Sequence, residues 1–445
     1  MSDNPLQTRA AAARPSRGLT SLAGVLATAG LLLAALRPLE RPYLRLLQGG
    51  AERAARGEWI AALGSYRAAA EMRPDDPDPH LRSASVYLAW GRLALAQDEL
   101  AEAQRRGASQ AAIDRLRLDV LAAQQDWTAL ESCARRLLRV DPQSHAAHHA
   151  LARAYEGQGR WPEARAEYEA LLIEDPADMV ANERLGLLTL GDDPTALARL
   201  ASADSALAQQ VLDALRASDA NQTPTYVWLV AGRTLLEAQE WTLAARQFER
   251  AWQQEPALAE TRAYYGYALG RAGRASDGLE HLQAAVAADP SSALAHALLG
   301  LHYDRAGNPE AARLEFEAAY DLDPRNAALC TEIGEAWLAE HRYLAAEIWL
   351  REATVLEPEN PEPWIRLAAF YLEHNLDVEK GMLAAGQALS LSPDDARAHD
   401  LVGWAAFLRG DYALARASLD RAVELDPDLP EAHYHLGRLW NALGS

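Results

Sequence analysis

Apolar residues recur along this chain in short helical registers, each closed by a polar break. Between residues 293 and 326, Leu298, Leu299 and Tyr303 return at helical spacing, Ala306-Gly307-Asn308-Pro309 interrupts them, and Ala312, Phe316 and Ala319 resume the pattern up to Pro324. The spacing predicts a helix, a tight turn and a second helix. Gly300 and Ala312 lack bulk and let the two helices approach closely, while Tyr303 and Phe316 fill the space beside them. One such pair cannot bury its own apolar face, so pairs must stack side by side.

The same unit returns with a fixed period. Prolines close helix-like runs at Pro142, Pro176, Pro256, Pro290, Pro324, Pro358 and Pro427, and most intervals are 34 residues or a near multiple. Setting each proline at position 32 places Gly186, Gly232, Gly266, Gly300, Gly334, Gly403 and Gly437 at position 8. It also places Ala62, Ala96, Ala164, Ala244, Ala312, Ala346 and Ala415 at position 20. This frame resembles the tetratricopeptide repeat (TPR) family, with small residues at 8 and 20, aromatics near 17 and 24, and proline near 32. The resemblance implies an all-α fold, a right-handed superhelical solenoid of stacked helix-turn-helix units.

Ten frames are legible, at 43–76, 77–110, 111–144 and 145–178, then at 225–258, 259–292, 293–326, 327–360, 361–395 and 396–429. The organisation expected is therefore a first TPR block over 43–178, a second over 225–429, and a capping helix over 430–445. The stretch 179–224 breaks the period. Within it Met179 to Leu190 reads as a first helix, Asp193-Pro194 as an N-cap followed by proline at the first helical position, and Asp204 or Ser205 as the cap of a helix running to Leu215. The polar run 218–224 reads as a loop. The segment is either a decayed repeat that bends the stack or a hinge or partner-binding insert.

Ahead of the repeats stand a basic tail, 1–17, and an uncharged apolar run, 18–36. A helix of that length spans roughly 28 Å, enough to cross a bilayer. Arg9, Arg14 and Arg17 precede it, and Arg37, Arg41 and Arg45 follow it. The reading taken is an uncleaved single-pass anchor, with the N-terminal arginines favouring repeats on the extracytoplasmic side. A cleaved signal peptide and a buried helix are the alternatives; Ala27-Thr28-Ala29 would cut inside the apolar run, and no good small-x-small site follows it.

Charge narrows the partner class. The net value is −20, yet residues 1–60 hold eight Arg against Asp3, Glu40, Glu52 and Glu58, so the remainder carries −24. Phosphate binding needs a basic stripe, and nucleic acid is therefore excluded as the partner of the repeats. Cys133 and Cys330 fall in different repeats, read as small core residues, and form no disulfide or metal motif. His145, His148 and His149 have ligand-like spacing, but His80, His148, His296, His399 and His433 all fall at position 4, where the family often has Trp. A residue repeated at one frame position reads as packing between helices, so no metal and no cofactor is expected. The glycines of 266–273 are repeat glycines with no strand before them, no nucleophile elbow occurs, and no enzyme is expected.

What remains is a binding surface. In the TPR family the concave face is lined by first-helix positions 2, 5, 9, 12 and 13 and takes extended peptides or partner helices. Carried over by position, the resemblance implies a groove presenting Tyr226, Leu229 and Arg233, then Tyr267 and Arg271, then Leu301 and Arg305, and towards the C-terminus Trp404. Arg233, Arg271 and Arg305 come from successive units and suit carboxylates or a peptide backbone. The alternative is that they pair within the chain with Glu237, Asp304 and Glu335. The groove positions lack the Lys and Asn of the family's chaperone-tail clamp. The function expected is a membrane-tethered scaffold for protein–protein interaction, in cell-envelope complex assembly. The other reading is a non-catalytic subunit of an envelope enzyme or biogenesis machine, as in cytochrome maturation, pilus assembly or polysaccharide export; a soluble secreted TPR protein requires that the N-terminal run be cleaved.

Overall fold

In the computed structural model the described residues are 41–218, 223–374 and 377–444. They form 24 helices and, among the described residues, no strand. The first ten make five hairpins, the fifth within the irregular segment: Arg41–Ala55 with Trp59–Met72, Asp78–Ala89 with Leu93–Arg105, Gln110–Gln124 with Trp127–Val140, His145–Gly157 with Trp161–Glu174, and Met179–Thr189 with Ala196–Ala203. The helix Ala206–Ala217 follows. Six further hairpins are Pro224–Glu237 with Trp241–Gln254, Ala259–Arg271 with Ala275–Ala288, Ala293–Arg305 with Pro309–Leu322, Ala327–Ala339 with Tyr343–Leu356, Pro361–Glu373 with Val378–Leu391, and Ala396–Leu408 with Tyr412–Leu425. Pro430–Leu443 is last. The chain divides into two compact units, residues 1–208 and 209–445, with the division inside the irregular segment.

Within each unit helices pack against their sequence neighbours and next-but-one neighbours, which is solenoid-type stacking. The cores accordingly lie between repeats. Ala263, Leu282 and Ala285 join Ala295, Leu298 and Leu299 of the following repeat, and Ala312, Phe316 and Ala319 join Leu329 and Ile333 of the one after. Position 15 sets the turn in every unit where it is described. Gly57, Gly91, Gly159, Gly273, Gly307 and Gly410 take positive φ there, and Gln125, Gln239 and His341 adopt the same left-handed conformation without glycine's freedom.

Close approach at position 8 follows the sequence pattern. A Cβ on Gly300 would lie 2.5 Å from the Phe316 ring, one on Gly232 2.7 Å from Phe248, and one on Gly403 2.7 Å from Leu419. In these three the partner is position 24, so a small residue faces a large one, whereas Gly266 meets the backbone of Gly278 at position 20. In 111–144 the sizes are exchanged, with Leu118 at position 8 and a buried Ala134 at 24.

The irregular segment differs in detail from its sequence reading. The helix after Asp193-Pro194 begins at Ala196 with Thr195 as N-cap, because the Asp193 carboxylate turns back to accept from the Thr195 backbone N–H and hydroxyl at 2.8 and 2.7 Å. Ser205 caps the next helix through Ala208 N, while Asp204 is the left-handed C-cap of the preceding one. That helix runs to Ala217, and Thr223 caps Pro224–Glu237 by accepting from Tyr226 N. Residues 219–222 of the expected loop lie outside the described residues. Among the described residues no helix is long and apolar enough to cross a membrane. The apolar run 18–36 lies outside them.

Candidate functional site

Five position-4 residues, four of them histidines, have a local role. In each case a ring nitrogen donates to the carbonyl of the proline that closes the preceding repeat: His148 to Pro142 at 3.1 Å, His296 to Pro290 at 3.3 Å, His399 to Pro393 at 2.9 Å, His433 to Pro427 at 2.7 Å, and Trp364 to Pro358 at 3.0 Å. Nδ1 meets position 23 of its own repeat in three units: His80 with Glu99, His148 with Glu167 and His296 with Glu315, each at 2.7 Å. His145, His148 and His149 bond three different carboxylates, those of Glu174, Glu167 and Asp178, and do not converge on a common point. Both nitrogens of His148 lie against acceptors, an arrangement that favours the charged ring. Burial opposes that charge, but Glu167 and the Pro142 carbonyl outweigh it, and its pKa stands above the ordinary histidine value.

The candidate surface is the first-helix face of the C-terminal unit. Tyr226 is 41% exposed and Leu229 half-buried, one turn before the exposed Arg233. The charge of Arg233 is felt at Tyr264 of the next first helix. Burial raises the Tyr264 pKa, and Arg233 works against that rise. On the same helix as Tyr264, the half-buried Arg271 donates from Nη1 to the Tyr267 hydroxyl at 3.0 Å and lies 3.9 Å over the Trp241 ring. Its buried Nε has no hydrogen-bond partner. Arg305 is exposed at the end of the following first helix.

Among the described residues none of Arg233, Arg271 and Arg305 is ion-paired with a carboxylate, so pairing with Glu237, Asp304 or Glu335 does not occur. Glu335 has Arg366 at 4.0 Å instead. The second helices of this unit contrast with that. Arg246 pairs with Glu249, Arg313 with Glu317 and Glu340, Arg416 with Asp420, and Arg421 with Glu424 and Asp394. Further along the first-helix face the charge changes sign. Burial holds the Glu332 and Glu335 carboxyls above the ordinary range; for Glu332, Asp304 adds to the rise and Arg366 opposes it.

Two of the expected groove residues face neighbours more than solvent. Leu301 is half-buried between two inter-repeat cores. Trp404 is only 8% exposed, with the His435 ring stacked on it at 4.2 Å and Phe407 at 5.0 Å. Asp400, buried one turn earlier, receives His435 Nδ1 at 2.8 Å. The closing helix thus seats on this end of the face through His435. Sequence reasoning missed the position-23 glutamates, although Glu99, Glu167 and Glu315 each stand 19 residues after a position-4 histidine. It also missed Trp241, a second-helix residue that holds Arg271.

Comparison with protein families agrees with this geometry. A model described as "Tetratricopeptide repeat" matches residues 115–178, 265–327 and 305–361, and one described as "TPR repeat" matches residues 403–444. These stretches match tetratricopeptide-repeat models. No curated protein matches. Among solved structures, that titled as the APC/C hetero-tetramer Cut9-Hcn1 is 14% identical with a TM-score of 0.43, covering 93% of this chain and 98% of that one. YrrB, described as a TPR protein with an unusual peptide-binding site, is 19% identical with a TM-score of 0.35, over 43% of this chain and 97% of its own. PilF of Pseudomonas aeruginosa is 15% identical with a TM-score of 0.42, over 48% of this chain and 97% of its own.

Proposed function

We propose that this chain is a membrane-tethered scaffold that binds a protein or extended peptide along the first-helix face of its C-terminal unit, as part of a cell-envelope complex. The observation that carries the reading is the contrast between arginines. Arg246, Arg313, Arg416 and Arg421 of the second helices are neutralised by neighbouring carboxylates, whereas Arg233, Arg271 and Arg305 are not. A guanidinium without a carboxylate can take one from a partner, and Arg271 is held in place for it by Trp241 and Tyr267. Tyr226, Leu229, Tyr267 and Leu301 supply apolar contact beside the charges, with Trp404 marking the far end of the face.

Replacing Arg233, Arg271 and Arg305 together by Glu is expected to abolish co-purification of the partner, since each charge-assisted bond contributes about 1.5–3 kcal/mol. Helical content should be unchanged, and melting should fall only by what Arg271 loses at Trp241 and Tyr267, because the three have no carboxylate to lose. A triple variant that keeps its partner but melts early would remove the arginines from the binding face. In this reading the tether is residues 18–36, uncleaved, with the repeats extracytoplasmic. Retention in the membrane pellet after alkaline carbonate, with an intact N-terminus and protease-accessible repeats, is the expected result; a mature chain starting near Ala29 or Leu36 would overturn it.

A further inference from the structure

Between the second helix of the first repeat and the hairpin of the second lies a groove of about 590 Å³, within the size range of ligand sites. Gly64, Arg67 and Ala70 line it from Trp59–Met72, and Ser83, Tyr87 and Trp90 face them from the next first helix and its C-cap. It is open because the residues that close the corresponding place elsewhere are small here. At the junction of 225–258 with 259–292, positions 28 and 7 are Trp252 and Tyr265, whose rings lie 6.0 Å apart, with His281 4.6 Å from Tyr265. At the junction of 293–326 with 327–360 they are Tyr320, which has the Trp349 ring at 5.0 Å, and the fully buried Ile333. Between the first two repeats they are Ala70 and Ser83, and no other junction of the legible frames pairs two residues as small. Gly64 widens the groove further. It stands inside a helix, and a Cβ on it would meet nothing within 4 Å, so no neighbour in the chain requires the glycine.

The polar groups of the walls are not matched within the chain. Ser83 is only 7% exposed, and its hydroxyl makes no hydrogen bond among the described residues. His80 also lines the groove and meets Glu99 through Nδ1 at 2.7 Å. The Nε2 of His148 and of His296 bonds the carbonyl of the closing proline; that of His80 has no partner among the described residues, and Arg106 donates to the Pro74 carbonyl instead. Arg67 is exposed and has no ion pair among the described residues, while Glu99, the acidic residue of the lining, is already matched by His80. Tyr87 and Trp90 stand near-parallel, 8° apart in plane with centroids 6.5 Å apart, and the Arg92 guanidinium lies 5.3 Å over Trp90. We propose that this groove binds a planar aromatic group carrying a carboxylate, with the ring in the space that Trp252 or Tyr320 fills elsewhere and the carboxylate on Arg67. The ring follows from how the chain closes the same place in its other unit, and the charge from the unpaired guanidinium at the lip. Ser83 and the second nitrogen of His80 supply further hydrogen bonds. A free aromatic acid and the C-terminal aromatic residue of a partner protein both present this chemistry.

The probes are N-acetyl-L-tryptophan, its amide, and the pentapeptide Gly-Ser-Gly-Ser-Trp with a free C-terminus, each titrated into the full-length chain and followed by ligand-observed NMR. N-acetyl-L-tryptophan should bind saturably at one site, with a Kd of roughly millimolar or below for a ligand of that size. The amide lacks the carboxylate and should bind about tenfold more weakly; Arg67→Gln should weaken the acid by the same factor and leave the amide as it was. Ala70→Trp, which closes the groove as Trp252 does at its own junction, should abolish binding of all three probes with melting of the chain unchanged or raised. A pentapeptide that binds more tightly than the acetylated amino acid supports a protein terminus as the source, and one that binds more weakly supports a free acid. Replacing Arg233, Arg271 and Arg305 by Glu should leave binding as it was, which separates this groove from the first-helix face of the other unit. Absence of saturable binding, or binding indifferent to both Arg67→Gln and Ala70→Trp, overturns the proposal. So does equal affinity for acid and amide, because Arg67 would then hold nothing.

Discussion

In the repeat at 293–326 the ring of Phe316 occupies the space over Gly300 and the carboxylate of Glu315 meets His296, whereas in the closing helix the space over Gly437 is empty and His433 holds only a carbonyl. The two segments share their first-helix design and differ in what covers it. The difference separates two roles of glycine that sequence alone merges. At position 300 the missing side chain is required by a neighbour, and at position 437 it is a cost of about 0.5–1 kcal/mol in helix propensity with no neighbour to justify it. The largest test lies on the covered side. Ala312 is fully buried against the first helix of its repeat, so Ala312→Trp should overpack the pair and destabilise the chain by about 3 kcal/mol, the upper end for added core volume. Tryptophan in place of the outward-facing Leu344 should change melting by no more than about 0.5 kcal/mol. Equal melting temperatures for the two would mean that the frame does not describe the packing.

The next test sets the two glycines against each other. Gly300→Ala gains helix propensity but drives a methyl to within 2.5 Å of the Phe316 ring, and the net effect expected is a loss of about 1–2 kcal/mol. Gly437→Ala meets nothing and should gain about 0.5–1 kcal/mol. Opposite signs in chemical denaturation support the distinction; two losses would mean that the closing helix is covered in solution.

Much of this was legible beforehand because a 34-residue period samples each structural role many times. The position-8 glycines, the position-20 alanines and the closing prolines name the hairpin, and the stack follows from their recurrence. Packing assignment of the position-4 histidines was legible for the same reason. Their glutamate partners were not seen because hydrogen bonding across a hairpin joins positions that no single-helix pattern connects. Trp404 was placed on the groove by position alone, and position does not register that the next helix brings His435 down on it. In the irregular segment Asp193 and Thr195 are both competent caps; the choice of Thr195 depends on the Asp193 side chain folding back onto Thr195, a local competition that composition does not resolve.

The smallest effect concerns what a covered position-4 histidine gains over an uncovered one. His148 donates to Glu167 and to the Pro142 carbonyl, and its pKa is raised in the fold. A group whose pKa is raised on folding stabilises the protein fully below its unfolded pKa, about 6.5 for histidine, and loses that contribution as pH rises through the folded value. His148→Gln keeps one donor but cannot charge. Its deficit in melting temperature relative to the parent chain should therefore be greatest in mild acid, while Glu167 is still ionised, and should shrink as the pH is raised past the folded pKa of His148. Made in a chain that already carries Glu167→Gln, the same His148→Gln change should show a deficit that varies less over that range. Two parallel deficits would mean that Glu167 adds nothing to the histidine's charge, and the distinction between covered and uncovered repeats would then rest on packing at position 8 alone.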